Sequence, residues 1–281
     1  MHKQFAIIGG GYLGLGAVAR MERSDCQVTV TCTTHAKSDG LSGIGTYRRV
    51  LKLGDKQANY DFLLNMDGIV ICIGPKQRGI AEYQSVFGAG LDDFVKYLRT
   101  RNATRPLHIT FISSTGVYGD YRGSVVNEDS IVDRSHPINQ IITRAEQKVL
   151  SLENGNTNVC VLRLGGLYGP GRDIYTWLKG SSGQQVNMDG DHALAWTSVV
   201  DAVNAIEFAF ENQLSGIYNC TDDTQLTRRE LGSLICDEEG LPPILWRTEP
   251  VAEERISNAR VSNAKLKNAG FTELRASMLP G

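Results

Sequence analysis

The stretch FAIIGGGYLGLGAVARM passes from a short apolar strand through Gly9-x-Gly11-x-x-Gly14 into a helical pattern. Few arrangements of backbone use that junction. A strand that ends on glycines and runs straight into a helix aims the backbone N–H groups of the helix start at the strand's carboxyl end. Glycine permits the tight turn, lets those N–H groups approach a pyrophosphate, and lets the helix pack close on the strand. Because the pattern stands at the first strand–helix junction of an alternating chain, it reads as a dinucleotide site formed by Gly9, Gly10, Gly11, Tyr12, Leu13 and Gly14.

The alternation continues downstream. Apolar strands are predicted at 5–9, 27–32, 47–51, 68–74, 107–113 and 159–165, with helices over 13–22, 59–65, 80–99 and 138–153. Repeated strand–helix–strand crossovers predict an α/β chain: a Rossmann-type doubly wound parallel sheet with a small C-terminal substrate lobe. Residues 1–165 read as the dinucleotide-binding domain. Residues 166–281 read as mainly the substrate lobe, with about 195–215 returning to the first domain. After Gly165 a Gly-rich polar stretch carries few strand signals. A strand or turn at 196–200, a helix over 201–211, a strand at 216–220 and a helix over 227–239 follow, the last with Thr227 and Glu230 at capping-box spacing. Ligands of such a sheet lie at the carboxyl ends of its strands. Ser113 and Ser114 stand at one such end, Ser113 as a cofactor contact.

Composition narrows the partner. With 41% hydrophobic and 21% charged residues and a net charge of -2, the chain reads as a globular protein without the basic footprint of a nucleic-acid binder. It has no Lys/Arg run for an anionic membrane surface, and a small-molecule substrate is the expected partner. The six cysteines form no CxxC pair and read as reduced core thiols, with no metal site. Only MHKQ precedes the first strand and the apolar runs are too short to span a bilayer, so no signal peptide, no membrane segment and a cytoplasmic location are expected.

A cofactor with a free ribose 2′-hydroxyl usually meets an Asp or Glu after the second strand. Here Thr33, Thr34, His35 and Lys37 occupy that turn, and the first acid is Asp39. Hydroxyls and cations suit a 2′-phosphate that a carboxylate would repel, so NADP is favoured over NAD.

Five segments taken together, GGGYLG, SSTGVYG, LRLGGLYGPGR, WTSVVDAV and GIYNCTDD, resemble in order the short-chain dehydrogenase/reductase superfamily. The likeness is to its extended and atypical branches, which include NAD-dependent epimerases and dehydratases, and it covers nearly the whole chain. The resemblance implies that Ile73, Gly74 and Pro75 lie along the cofactor and that Asp55 faces adenine. It implies that the Ser114 hydroxyl binds the reacting oxygen; members of the family often form homodimers, an assembly that stays open for this chain.

The same resemblance calls for a Tyr-x-x-x-Lys on the next helix. Residues four apart share a helix face, so the lysine ammonium can lower the tyrosine pKa. If Glu146 matches the family's glutamate, the two positions hold Ile138 and Ile142, and neither can titrate. Tyr175 and Lys179 have the spacing but lie after the sixth strand, in the wrong place in the topology. Tyr118 and Tyr168 are each followed four residues on by an arginine, Arg122 and Arg172. Ser114 and Tyr118 are the catalytic candidates, with His136 as a further proton-transfer group. Two readings follow: an NAD(P)-binding oxidoreductase or epimerase/dehydratase-like enzyme on a small polar metabolite, or a catalytically silent NADP-binding redox sensor that regulates a protein partner.

Overall fold

The computed structural model describes residues 2–77, 79–100, 105–249, 255–272 and 274. In chain order the first elements are β1 (Gln4–Ile8), α1 (Tyr12–Arg23), β2 (Gln27–Cys32), α2 (His35–Asp39), β3 (Tyr47–Val50), β4 (Gly68–Ile71), α3 (Ile80–Tyr83), α4 (Leu91–Thr100) and β5 (Leu107–Ser114). Next come β6 (Asp120–Val126), α5 (Pro137–Leu150), β7 (Thr157–Leu164), β8 (Gly166–Tyr168), α6 (Ile174–Gly180), β9 (Gln185–Asp189) and β10 (Trp196–Ser198). The chain ends with α7 (Val199–Glu211), β11 (Gly216–Cys220), α8 (Arg228–Glu238), β12 (Leu245–Arg247), β13 (Asn258–Val261) and α9 (Ala264–Asn268).

These elements fall into two compact units. The first comprises Met1–Ser113, Pro137–Arg163 and Ala202–Tyr218; the second comprises Ser114–His136, Leu164–Asp201 and Asn219–Gly281.

The first unit is organised by a seven-stranded sheet of order β11-β7-β5-β4-β1-β2-β3, in which β4–β5, β1–β4, β1–β2 and β2–β3 run parallel. The Rossmann-type α/β class expected from the sequence is the class observed. Strands buried on both faces need apolar residues on both, and Phe5, Ala6, Ile7 and Ile8 of β1 are all buried. Helix α1 turns Leu13, Ala17, Val18 and Met21 inward at three- and four-residue spacing. One core joins β1, β4, β5 and β7 to Leu91, Phe94 and Val95 of α4 and to Ile141, Ala145 and Val149 of α5.

Two helices differ from expectation. Over 59–65 only a single 3-10 turn forms, Asp61–Leu63, entered through the Asn59 side chain, which accepts from the Asp61 N–H at 2.7 Å. The span 80–99 is interrupted by a π-helical segment, Gln84–Gly90. There the backbone passes close to the 53–54 turn: a methyl built on Gly90 would lie 3.0 Å from the Ser85 carbonyl oxygen and 3.2 Å from Leu53 Cβ. Only a bare backbone fits so near.

The second unit is built from three parallel two-stranded pairs, β8–β10, β9–β12 and β6–β13. β9, β12 and β13 are five residues or shorter and β6 is mostly polar, so none stands out in the sequence. Helix α8 starts on the capping box anticipated there, with Thr227 accepting from the Glu230 N–H and Glu230 accepting from the Thr227 N–H. Two small cores form, one around Leu178, Leu231, Ile235 and Trp246, the other around Tyr118, Val126, Ala259 and Val261. Among the described residues no helix is long and apolar enough to cross a membrane, and no group of three or more His, Cys, Asp or Glu side chains could hold a metal ion.

Candidate functional site

The glycine turn in the first unit is fixed by β2 and by the end of β4. Gly10 N–H donates to the Thr31 carbonyl at 2.7 Å, Gly9 N–H to Thr31 Oγ1 at 3.1 Å, and the Cys72 thiol to the Gly9 carbonyl at 3.1 Å. Burial pushes that thiol up to about 12, so it stays neutral and serves as a weak donor. Gly9 has φ +114°, and a methyl there would meet the Cys72 carbonyl oxygen at 2.6 Å; one on Gly14 would collide with the Gly9 carbonyl oxygen. Gly11 is different in kind. Nothing lies within 4 Å of the point where its methyl would stand.

That open space belongs to a cavity of about 430 Å³ at the carboxyl ends of β1, β2 and β4. Gly9, Gly10, Gly11, Thr33, Thr34, Ile73 and Gly74 line it, as do Lys37, Lys52, Lys76, Glu82 and Ser85. Thr34 accepts from the Lys37 N–H at 3.3 Å and so starts the short helix α2 within the turn after β2. Of the other expected cofactor contacts, Tyr12, Leu13, Gly14, His35 and Pro75 are not in the lining. Asp55 lines a neighbouring cavity of about 500 Å³ with Lys52 and Lys56, its carboxylate accepting from the Gln57 N–H at 3.0 Å. Lys52 borders both cavities, and its one sequence signal is a position just after the third strand.

Ser113 has a partner that the sequence hid. Its hydroxyl donates to Glu146 Oε1 at 2.5 Å, and Arg163 binds the same carboxylate from β7 through Nε at 2.9 Å and Nη2 at 2.7 Å. All three side chains are buried, so the cluster clamps the ends of β5 and β7 to α5. In α5, Ile142 is buried and Ile138 half-buried.

Ser114 caps a 3-10 turn, Thr115–Tyr118, in the second unit, where its Oγ accepts from the Gly116 N–H at 3.1 Å. Tyr118, expected to be a proton donor, is 1% exposed and donates instead to Asn219 Oδ1 at 2.8 Å. Asn219 is itself held by Glu128 Oε1 on its N–H and by the Ser262 carbonyl on its amide. A phenol so enclosed packs against its neighbours, whereas Ser114 is half-buried. Tyr175 and Lys179 both bind Glu239 on the surface, and the bond from the Tyr175 hydroxyl pushes its pKa up to about 12. His136 is half-buried just before α5. Asp222, which had drawn no attention, is fully enclosed. Burial raises its carboxyl to about 7 against the opposing Tyr168 hydroxyl and Thr224 N–H, with Asp201 adding to the rise.

A parallel α/β sheet whose first turn is glycine-bound and opens on a cavity at the strands' carboxyl ends defines the Rossmann-type nucleotide-binding class. The model of the NAD dependent epimerase/dehydratase family matches residues 6–221, and the chain belongs to that family. It is 28% identical over 222 residues to protein YeeZ of Escherichia coli (strain K12), covering 77% of each. Two solved structures share the fold. One is a functionally unknown conserved protein from Silicibacter pomeroyi, at 20% identity and TM-score 0.76, covering 98% of this chain and 95% of that one. The other is MoeE5 in complex with UDP-glucuronic acid and NAD, at 18% identity and TM-score 0.79 with the same coverage.

Proposed function

We propose that the protein binds a nicotinamide adenine dinucleotide and acts as an oxidoreductase or epimerase/dehydratase-like enzyme on a small polar metabolite, without a Tyr-x-x-x-Lys dyad. The observation that carries this reading is the open space at Gly11 beside two glycines that tolerate no side chain. Packing accounts for Gly9 and Gly14; a pyrophosphate brought close to the backbone would account for Gly11, which no protein atom opposes. MoeE5, with its bound sugar nucleotide and NAD, exemplifies the substrate class a protein of this fold can take.

The dinucleotide supplies a nicotinamide that exchanges hydride when bound. The N–H groups of the glycine turn and of the start of α1 hold its pyrophosphate. Thr33, Thr34, Lys37 and Lys52 form a wall rich in hydroxyls and cations that suits a ribose 2′-phosphate, which favours NADP over NAD. Ser114 binds the reacting oxygen of the substrate. Calorimetric titration with NADPH and NADH tests the first part. A metabolite screen followed at the nicotinamide absorbance, repeated with Ser114→Ala, tests the second: turnover should fall while dinucleotide affinity holds, and unchanged turnover would remove Ser114 from the chemistry.

A second reading, a silent redox sensor that reports the dinucleotide's state to a protein partner, is favoured by the two isoleucines of α5 where titratable groups are expected. No turnover across the screen, with NADPH and NADP⁺ binding at different strengths, would select it.

A further inference from the structure

We propose that the cavity of about 500 Å³ beside the nucleotide site binds a phosphate ester, and that this ester competes with the dinucleotide for Lys52 and so regulates the affinity for NADP. The regulatory half rests on the reading of Lys52 as a partner of the ribose 2′-phosphate; the binding site itself does not.

Both cavities lie within the first unit and share a partition, because Lys52, Leu53 and Ser85 line the two of them. The Asp55 N–H donates to the Lys52 carbonyl at 3.1 Å across a turn in which Gly54 takes φ +77°, a conformation suited to glycine at the third position of a tight turn. A methyl on Gly54 would stand 3.1 Å from Gly90 Cα, so the turn is seated against the π-helical segment Gln84–Gly90, which carries Ser85. Segments of that kind recur at functional sites. The Lys52 backbone is thus fixed at the partition while its exposed side chain borders either space.

In the second cavity Lys56 joins it. Neither ammonium has an ion-pair or hydrogen-bond partner among the described residues. The one carboxylate of that lining, Asp55, turns an oxygen to the Gln57 N–H at 3.0 Å and pairs with neither lysine. Two cations against one carboxylate favour an anion, and the Ser85 hydroxyl and the Asp55 carboxylate offer partners to hydroxyls carried by the same ligand. A space of about 500 Å³ is far more than inorganic phosphate fills and lies within the range of small-molecule sites, which points to a phosphate on a polar organic body. An ammonium is a point charge on a single stem, so Lys52 serves one of two separated anions at a time. An ester that engages it removes it from the wall facing the 2′-phosphate. NADH, which lacks that phosphate, loses nothing.

The test uses the full chain at constant ionic strength and two probes, ribose 5-phosphate and inorganic phosphate, titrated by calorimetry. Ribose 5-phosphate should bind the parent more tightly than inorganic phosphate does, should bind Gly11→Val equally well, and should weaken about fivefold or more in Lys56→Gln. Lys56→Gln alone should leave NADPH and NADH affinity at the parent's, since Lys56 lines only the second cavity. Saturating ribose 5-phosphate should then weaken NADPH several-fold and leave NADH unchanged, with NADPH weakening the ester reciprocally, and Lys52→Gln should abolish this coupling. No ester binding by the parent, equal affinity in Lys56→Gln, or loss of ester binding in Gly11→Val overturns the site. Inorganic phosphate binding as tightly as the ester overturns the ester class. Equal effects on NADPH and NADH, or a coupling that survives Lys52→Gln, overturns the competition. A parent that binds neither dinucleotide removes the nucleotide reading and the regulatory half with it, while the ester titration still decides the site.

Discussion

Arg163 grips Glu146 with two parallel hydrogen bonds, Nε to Oε1 at 2.9 Å and Nη2 to Oε2 at 2.7 Å, in a place where both side chains are buried. Removing one partner of a buried pair strands the other charge. Glu146→Ala should therefore cost about 3–5 kcal/mol in urea unfolding, whereas Ser113→Ala, which takes away one bond to the carboxylate, should cost about 1.5–3 kcal/mol. Equal and small losses in both would mean that the cluster opens to water in solution.

The three glycines of the first turn should separate by mechanism. Gly11→Val faces open space, so its melting temperature should stay near the parent's while dinucleotide binding is lost. Gly9→Ala and Gly14→Ala meet backbone atoms, and Gly9 is held at positive φ, so both should unfold at lower temperature. Calorimetry and thermal unfolding on the same samples distinguish the two outcomes.

Cofactor choice should follow the wall of the cavity. NADPH should bind more tightly than NADH to the parent, and Thr33→Asp or Lys37→Glu should reverse the order by placing a carboxylate where the 2′-phosphate lies. A parent that prefers NADH removes this assignment.

Two buried groups should pull the pH dependence of stability in opposite directions. Burial raises Asp222 to about 7, so the folded state keeps a proton that the unfolded chain releases near pH 4; this stability is present at low pH and is lost as pH rises toward 7. Burial lowers His108 from 6.5 to about 4, so the unfolded chain binds the proton first; this stability is present above pH 6.5 and is lost as pH falls toward 4. The parent should change little between pH 4 and 7. Asp222→Asn should make stability rise with pH across that window by at most about 3 kcal/mol, and His108→Gln should make it fall. Urea unfolding at four or five pH values checks both slopes.

Tyr175→Phe and Lys179→Ala should leave turnover and dinucleotide binding near the parent's. Both side chains are committed to Glu239 at the surface, where an ion pair contributes about 0–1 kcal/mol. A collapse of turnover in either would return that pair to the chemistry.

What the sequence made legible was local. The apolar runs that became β1, β2, β4, β5 and β7, the glycine turn and the Thr227 capping box all announce themselves within a few residues of chain. What it concealed was long-range. Glu146 and Arg163 look like two ordinary charges until α5 and β7 bring them to Ser113. β6 has Val126 as its one buried residue and β13 is four residues long with two buried, so neither signals a strand before the other is beside it. Tyr118 is long-range too: a tyrosine after a serine-ended strand looks available in the sequence, and its hydroxyl bonds to Asn219, which lies 101 positions later.

The chain passes between its two units five times, and the last piece of the first unit ends at Tyr218. A ribosome therefore releases every strand of the large sheet before it delivers β12 and β13. Because domains fold as units during synthesis, the first unit can close on a nascent chain whose second unit is still incomplete. The order of synthesis thus completes one unit before the other, through the same threading that places Ser113 and Ser114, neighbours in sequence, in different units.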